Sequence, residues 1–128
     1  MILLLDTSTP ECRLSMVEGD WRSDTIWEAG RGLAKGLLEF LETQLASQGK
    51  TWKDVTGLVI YKGPGSFTGL RIGITVFNSL AYANDWPIVG VTGDDWQQVG
   101  ITRLHNGQND AIVLPEYGGE ANITKPKK

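Results

Sequence analysis

The sequence is poor in the residues from which most small active sites are built. It has a single cysteine, Cys12, and a single histidine, His105. One cysteine excludes an intrachain disulfide, and Cys12 sits where a small buried strand residue would. No histidine or cysteine pair has zinc-ligand spacing, and no recognisable motif sets His105 beside a serine and an aspartate. Its place next to Asn106-Gly107 reads as a solvated turn. Basic residues are also few: 12 Lys and Arg stand against 15 Asp and Glu, a formal charge of −3. A free-standing nucleic-acid binder usually carries a basic excess. The scattered Trp21, Trp27, Trp52, Trp86 and Trp96 therefore read as packing residues rather than as a platform for bases. Lysines cluster only at Lys125, Lys127 and Lys128, which read as a solvated tail. No apolar stretch approaches the ~20 residues of a membrane span. The opening Met-Ile-Leu-Leu-Leu-Asp has no basic flank and is stopped by an acid, so it reads as a strand and not a signal segment. The expectation is a cytoplasmic protein with no membrane association.

What is present fits one globular unit. The chain has 128 residues and is 41% hydrophobic, and a domain of this size buries roughly two-thirds of its unfolded surface without a disulfide or metal. Residues 2–5 are a continuous apolar run, as in a buried strand. Cys12, Leu14 and Met16 alternate with Arg13 and Ser15, the pattern of a half-buried strand. A third strand is expected over residues 21–29. Short connections make these three antiparallel. Residues 32–48 read as a helix, with Leu33, Leu37, Leu41 and Leu45 at i+4 spacing, Ala34 and Leu38 widening the stripe, and Gly49 as its stop. A buried strand over 55–61, a second helix over 68–84 and a fifth strand over 88–91 follow. Helical connections between strands imply parallel pairing. The sum is an α/β lobe: a mixed five-stranded sheet, three strands antiparallel and then two parallel, with helices packed on it. Beyond Gly93 the pattern weakens to a short helix over 94–104, a further strand over 111–114 and an irregular tail.

The most informative segment joins the fourth strand to the second helix: Lys62-Gly63-Pro64-Gly65-Ser66-Phe67-Thr68-Gly69-Leu70-Arg71-Ile72-Gly73. Pro64-Gly65 suits the centre of a type II turn, and Ser66 and Thr68 are candidate N-caps. Backbone N–H groups at a helix start can hold an anion. Yet the glycines at 63, 65 and 69 miss the dinucleotide spacing by one residue, no lysine follows them as in a P-loop, and Ser66 lacks the glycines of a nucleophile elbow. A tight structural turn is the plainer reading. Gly69 and Gly73 lie four apart inside the helix, on a face continued by Val76 and Leu80. Leu70, Ile74, Phe77 and Ala81 make a second stripe, so the apolar arc is wider than one sheet contact needs. The glycine part is expected to admit another helix closely, either that over 33–45 or one from a partner chain.

The run from Gly63 to Gly73 resembles the hallmark of the TsaB (YeaZ) family. The opening Leu-Asp-Thr-Ser-Thr, the leucine helix and Pro87-Ile88-Val89-Gly90-Val91 follow in family order, so the likeness covers residues 1–93. It implies an actin-like, ribonuclease-H-like lobe over 1–93, with 94–128 a short remnant of a second lobe plus a C-terminal tail. It implies a non-catalytic scaffold subunit in forming threonylcarbamoyladenosine on tRNA. Its partners would be the related catalytic subunit TsaD and the P-loop ATPase TsaE, with a homodimer when alone and tRNA met only through the complex. The two helices that build the family's contact correspond here to Leu33, Leu37, Leu41, Gly69, Gly73, Val76 and Leu80. The motif loop is Gly63, Pro64, Gly65, Ser66, Phe67, Thr68 and Arg71, the arginine being a candidate for phosphate or partner. No catalytic, cofactor or metal residue is implied, and ATP or ADP would sit only at an interface with TsaD. The sequence departs from the family in three ways. The second domain is essentially missing, Leu33 stands where the family often has a histidine, and Asp6-Thr7-Ser8-Thr9-Pro10 lacks the glycine hairpin of actin-like ATPases. These departures argue against the competing reading, a free-standing ATPase or peptidase.

Overall fold

A computed structural model describes residues 1–117 of the chain. The basic lysine cluster and most of the expected tail lie outside the described residues. Five strands form one sheet: β1 (Ile2–Asp6), β2 (Glu11–Glu18), β3 (Trp21–Glu28), β4 (Gly57–Tyr61) and β5 (Ile88–Val91). The order is β3-β2-β1-β4-β5. β1 pairs antiparallel with β2, and β2 with β3, while β4 runs parallel to both β1 and β5. The mixed sheet expected from the sequence is therefore present, with its antiparallel and parallel parts as read.

The helices are α1 (Leu33–Ser47), α2 (Phe67–Asn84) and α3 (Trp96–His105). α1 ends in a glycine-capped turn: Gly49 takes φ +69°, its N–H donates to Ala46 O at 3.0 Å, and Lys50 N–H donates to Leu45 O at 2.8 Å. Strand alternation separates two cores. Leu3, Leu5, Cys12, Leu14, Met16, Leu58 and Ile60 point to one face, where α1 adds Leu37 and Leu41 and α2 adds Leu70, Ile74 and Phe77. Each such side chain contributes roughly 2 kcal/mol by leaving water. Ile2, Leu4, Val59, Val89 and Val91 point to the other, where α3 brings Trp96, Ile101 and Leu104. Gly100 lets α3 lie close, since a Cβ there would sit 2.3 Å from Val59 Cγ1. Ser15, buried on this second face, donates to Asp24 Oδ1 at 2.5 Å and accepts from Gln97 Nε2 at 3.3 Å. Arg22 grips the same carboxylate and also reaches Gln97, pinning the start of α3 to the β2–β3 hairpin. Hydrogen bonds from Arg22 and then Ser15 hold the Asp24 carboxyl below the usual range.

Residues 111–114 do not form the expected strand. Ala111 adopts φ +66°, which breaks an extended run, and its N–H is held by Asn109 Oδ1 at 2.8 Å. The edge of β5 is met by one backbone bond, Asp110 N–H to Ile88 O at 2.8 Å, and by two side chains: Asn109 Oδ1 accepts from Ile88 N–H at 3.1 Å and Asp110 Oδ2 from Gly90 N–H at 2.9 Å. No described helix is long and apolar enough to cross a membrane.

Candidate functional site: the motif loop and the outer faces of the paired helices

The motif loop lies at the carboxyl end of the parallel strands, beside the β1–β2 turn. Ser66 caps α2, its Oγ accepting from Gly69 N–H at 3.3 Å, while Thr68 does not cap. The positive φ expected at Gly65 is found at Gly63, with φ +125°. Gly65 is needed for space: a Cβ there would lie 2.4 Å from Ser8 Cβ. Ser66 N–H donates to Ser8 O at 2.8 Å, closing the loop onto the turn. Of the backbone N–H groups a phosphate would need, that of Ser66 is thus taken by Ser8 O and that of Gly69 by Ser66 Oγ.

The same turn accounts for the helical glycines. A Cβ at Gly69 would fall 2.2 Å from Thr7 O, and one at Gly73 2.2 Å from Thr7 Oγ1. Thr7 is fully buried and donates from Oγ1 to Gly69 O at 2.7 Å. The glycine face therefore admits a turn of the same chain, not a second helix. Leu33, Leu37 and Leu41, expected on a partner surface, are likewise turned inward and buried against the sheet. Helical spacing made a core stripe and an interface stripe look alike. Val76 and Leu80 are half-buried, packed along the first core.

What the paired helices present outward is a neighbouring set. Ala34, Thr68, Arg71, Ile72, Thr75 and Val76 line a shallow hollow of about 350 Å³, and Leu38 is 49% exposed on α1. Ala34, Leu38, Ile72 and Thr75 were not named as site residues from the sequence. The widened stripe of α1 was a signal for Ala34 and Leu38; no periodicity marked Ile72 or Thr75. Phe67 is 54% exposed, its ring 4.4 Å from that of Tyr117, and Arg71 lies 5.4 Å over it. Pro64 and Thr68 are exposed at the same corner.

The groups suited to chemistry do not converge. His105 lines a cavity with Met1 and Ile2, at the opposite end of β1 from Asp6, a separation of roughly 13 Å for a five-residue strand. Asp6 Oδ1 accepts from Ser8 N–H at 2.8 Å. Among the described residues no three His, Cys, Asp or Glu side chains gather as a metal requires. Burial, with a smaller contribution from Asp6, pushes the Cys12 thiol up to about 12. Alkylation of Cys12 at pH 8.5 is therefore expected to run at least ~1000-fold slower in the native protein than in urea. Equal rates would show the strand opening freely. The thiol form is favoured only in the native state, so this group lowers stability as pH rises past about 8.5, where the unfolded thiol ionises.

A five-stranded sheet in this order, with two helices on one face and a third on the other, is a lobe of the actin-like, ribonuclease-H-like fold. A family model described as "TsaD: tRNA N6-adenosine threonylcarbamoyltransferase" matches residues 27–96. The tRNA threonylcarbamoyladenosine biosynthesis protein TsaB of Haemophilus influenzae is 30% identical over 113 residues, which cover 88% of this chain and 48% of the relative. That of Escherichia coli is 31% identical, over 80% of this chain and 47% of its own. The structure of YeaZ from Pseudomonas aeruginosa aligns with a TM-score of 0.66 and 32% identity, covering 71% of this chain and 43% of that one. The chain belongs to the TsaB (YeaZ) family. It spans about half the length of the curated relatives it matches.

Proposed function

We propose that this lobe is a non-catalytic pairing subunit in the formation of threonylcarbamoyladenosine on tRNA. It docks on a TsaD-type catalytic subunit through the outer faces of α1 and α2. The observation that carries the reading is the exposed apolar hollow between those helices, lined by Ala34, Ile72, Thr75 and Val76 and flanked by Leu38. An exposed leucine and a small, mostly apolar hollow with Arg71 at its rim form a patch open to a partner. The scattered titratable groups support a partner role over catalysis by the lobe itself. Residues 1–93 carry the pairing surface, while α3 and the segment up to Tyr117 pack on the sheet as part of the same lobe. TsaE joins through the complex, tRNA is met only there, and ATP or ADP binds only where TsaD closes the interface. Alone, the lobe pairs with itself through the same helices. The setting is the cytoplasm.

Light scattering on a size-exclusion column tests this, with the chain alone and then mixed with TsaD from the same organism. A one-to-one complex is expected. A species that ignores TsaD at micromolar concentration would overturn the reading.

A further inference from the structure

Four features of the sequence are spent on one segment, residues 109–117. Asn78, on α2, binds it with both amide atoms: Oδ1 accepts from Val113 N–H and Nδ2 donates to Val113 O, each at 2.9 Å. Gly90, on β5, leaves room for it, since a Cβ there would lie 2.4 Å from Val113 Cγ1. Arg103, on α3, holds Asp110 Oδ1 at 2.6 Å and Gly90 O at 3.1 Å. Gly63, the first glycine of the motif, leaves room for it too: a Cβ at Gly63 would lie 1.9 Å from Glu116 O. Glu116 N–H then donates to Lys62 O at 2.7 Å, and the Tyr117 ring packs, tilted by 33°, against Phe67.

These contacts form a continuous path. It starts on the β5 edge, passes the middle of α2, and ends over the motif loop and the first turn of α2. α2 is thus held from two sides. Ile72 and Val76 share the hollow with Ala34 of α1, and Asn78 is tied to the segment by its amide. Only the last contacts reach the loop: one backbone hydrogen bond, the close approach of Glu116 O to Gly63, and the partly buried Tyr117 ring against the exposed Phe67 ring. A loop held by so few contacts moves when they go, because each hydrogen bond is worth only about 1 kcal/mol net.

We infer that residues 109–117 are a strap that positions the motif loop and the N-terminal turn of α2, with Asn78 as the positioning residue that ties it down. The strap itself need not touch the partner. It sets Thr68, Arg71 and Ile72 in the arrangement that a TsaD-type subunit meets, and in that respect the inference rests on the docking reading above. It also explains why the first motif glycine must be glycine: the strap's carbonyl occupies its side-chain position.

The test combines amide hydrogen exchange with titration against TsaD, using the full chain. Asn78→Leu keeps the size of the side chain and removes both hydrogen bonds. It is expected to speed exchange at Lys62, Gly63, Gly65 and Ser66 by at least about tenfold and to weaken TsaD binding by about tenfold, leaving β1 amides unchanged. Tyr117→Ala is expected to act in the same direction, and Tyr117→Phe to restore both readouts, since the ring contact with Phe67 survives. Tyr117 lies at the surface end of the strap, so that pair serves even where Asn78→Leu fails to fold. Loop exchange unchanged in both Asn78→Leu and Tyr117→Ala would overturn the strap. A loosened loop with unchanged affinity would also overturn it as a positioning device and leave it a brace. If the unmodified chain does not bind TsaD, the docking reading fails by itself, and the exchange arm still decides whether the strap holds the loop.

Discussion

Gly73→Leu is expected to lower the melting temperature by about 10 °C, equivalent to about 3 kcal/mol. Two effects oppose each other at this position. Replacing a mid-helix glycine gains about 1 kcal/mol of helix propensity. Against it, any Cβ at Gly73 would lie 2.2 Å from Thr7 Oγ1, 2.9 Å from its Cγ2 and 3.1 Å from its Cβ. Thr7 has little freedom to rotate away, because it is fully buried and its hydroxyl is committed to Gly69 O. Leucine then adds three more carbons to a space already too small for one, so the clash wins. Thermal unfolding followed by tryptophan fluorescence measures the outcome. Gly32→Ala is the matched control: φ is −84° there and nothing lies within 4 Å of the added Cβ, so its midpoint should stay or rise slightly. An unchanged midpoint for Gly73→Leu would show that the β1–β2 turn can move aside. The consequence for function is direct. Lost partner binding in a Gly73 variant reports damage to the lobe's interior and says nothing about its surface.

The elements were legible in the sequence because each follows a local period. Alternation in Cys12-Arg13-Leu14-Ser15-Met16 marks a strand with one wet face, and the unbroken runs at Ile2 and Leu58 mark strands covered on both faces. Leucines every four residues mark α1. What the pattern could not say was what each stripe faces. Leu33, Leu37 and Leu41 have one periodicity whether they meet a sheet or a partner, and only the tertiary arrangement assigns them to the core. The glycine pair was harder still. Its true neighbour, Thr7, is more than 60 residues away and not helical, so no helix-packing rule points to it. The strap escaped because its hold on β5 and α2 runs through one isolated backbone bond and the side chains of Asn78, Asn109 and Asp110, which follow no period at all.

Leu38→Glu is expected to weaken association with TsaD by about 100-fold while leaving the lobe folded. Leu38 is 49% exposed, and leucine and glutamate have similar helix propensity, so the stability change should stay within about 1 kcal/mol. At a docked interface the same substitution removes an apolar anchor and leaves a carboxylate dehydrated without a partner. Such losses run at about 2–4 kcal/mol, and 2.7 kcal/mol is about 100-fold. Electrostatics offers only a little relief, since Arg71 at the rim of the hollow is engaged with the Phe67 ring. Ile26→Glu is the informative comparison. Ile26 is 54% exposed, of similar size and apolarity, and its register opposite Arg13 puts it on the other face of the sheet. Titration of both variants against TsaD, with melting curves to confirm folding, separates two geometries. Loss confined to Leu38→Glu places the partner on the α1–α2 side. Loss confined to Ile26→Glu places it on the face shared with α3, and the hollow between the two helices would then have no part in pairing.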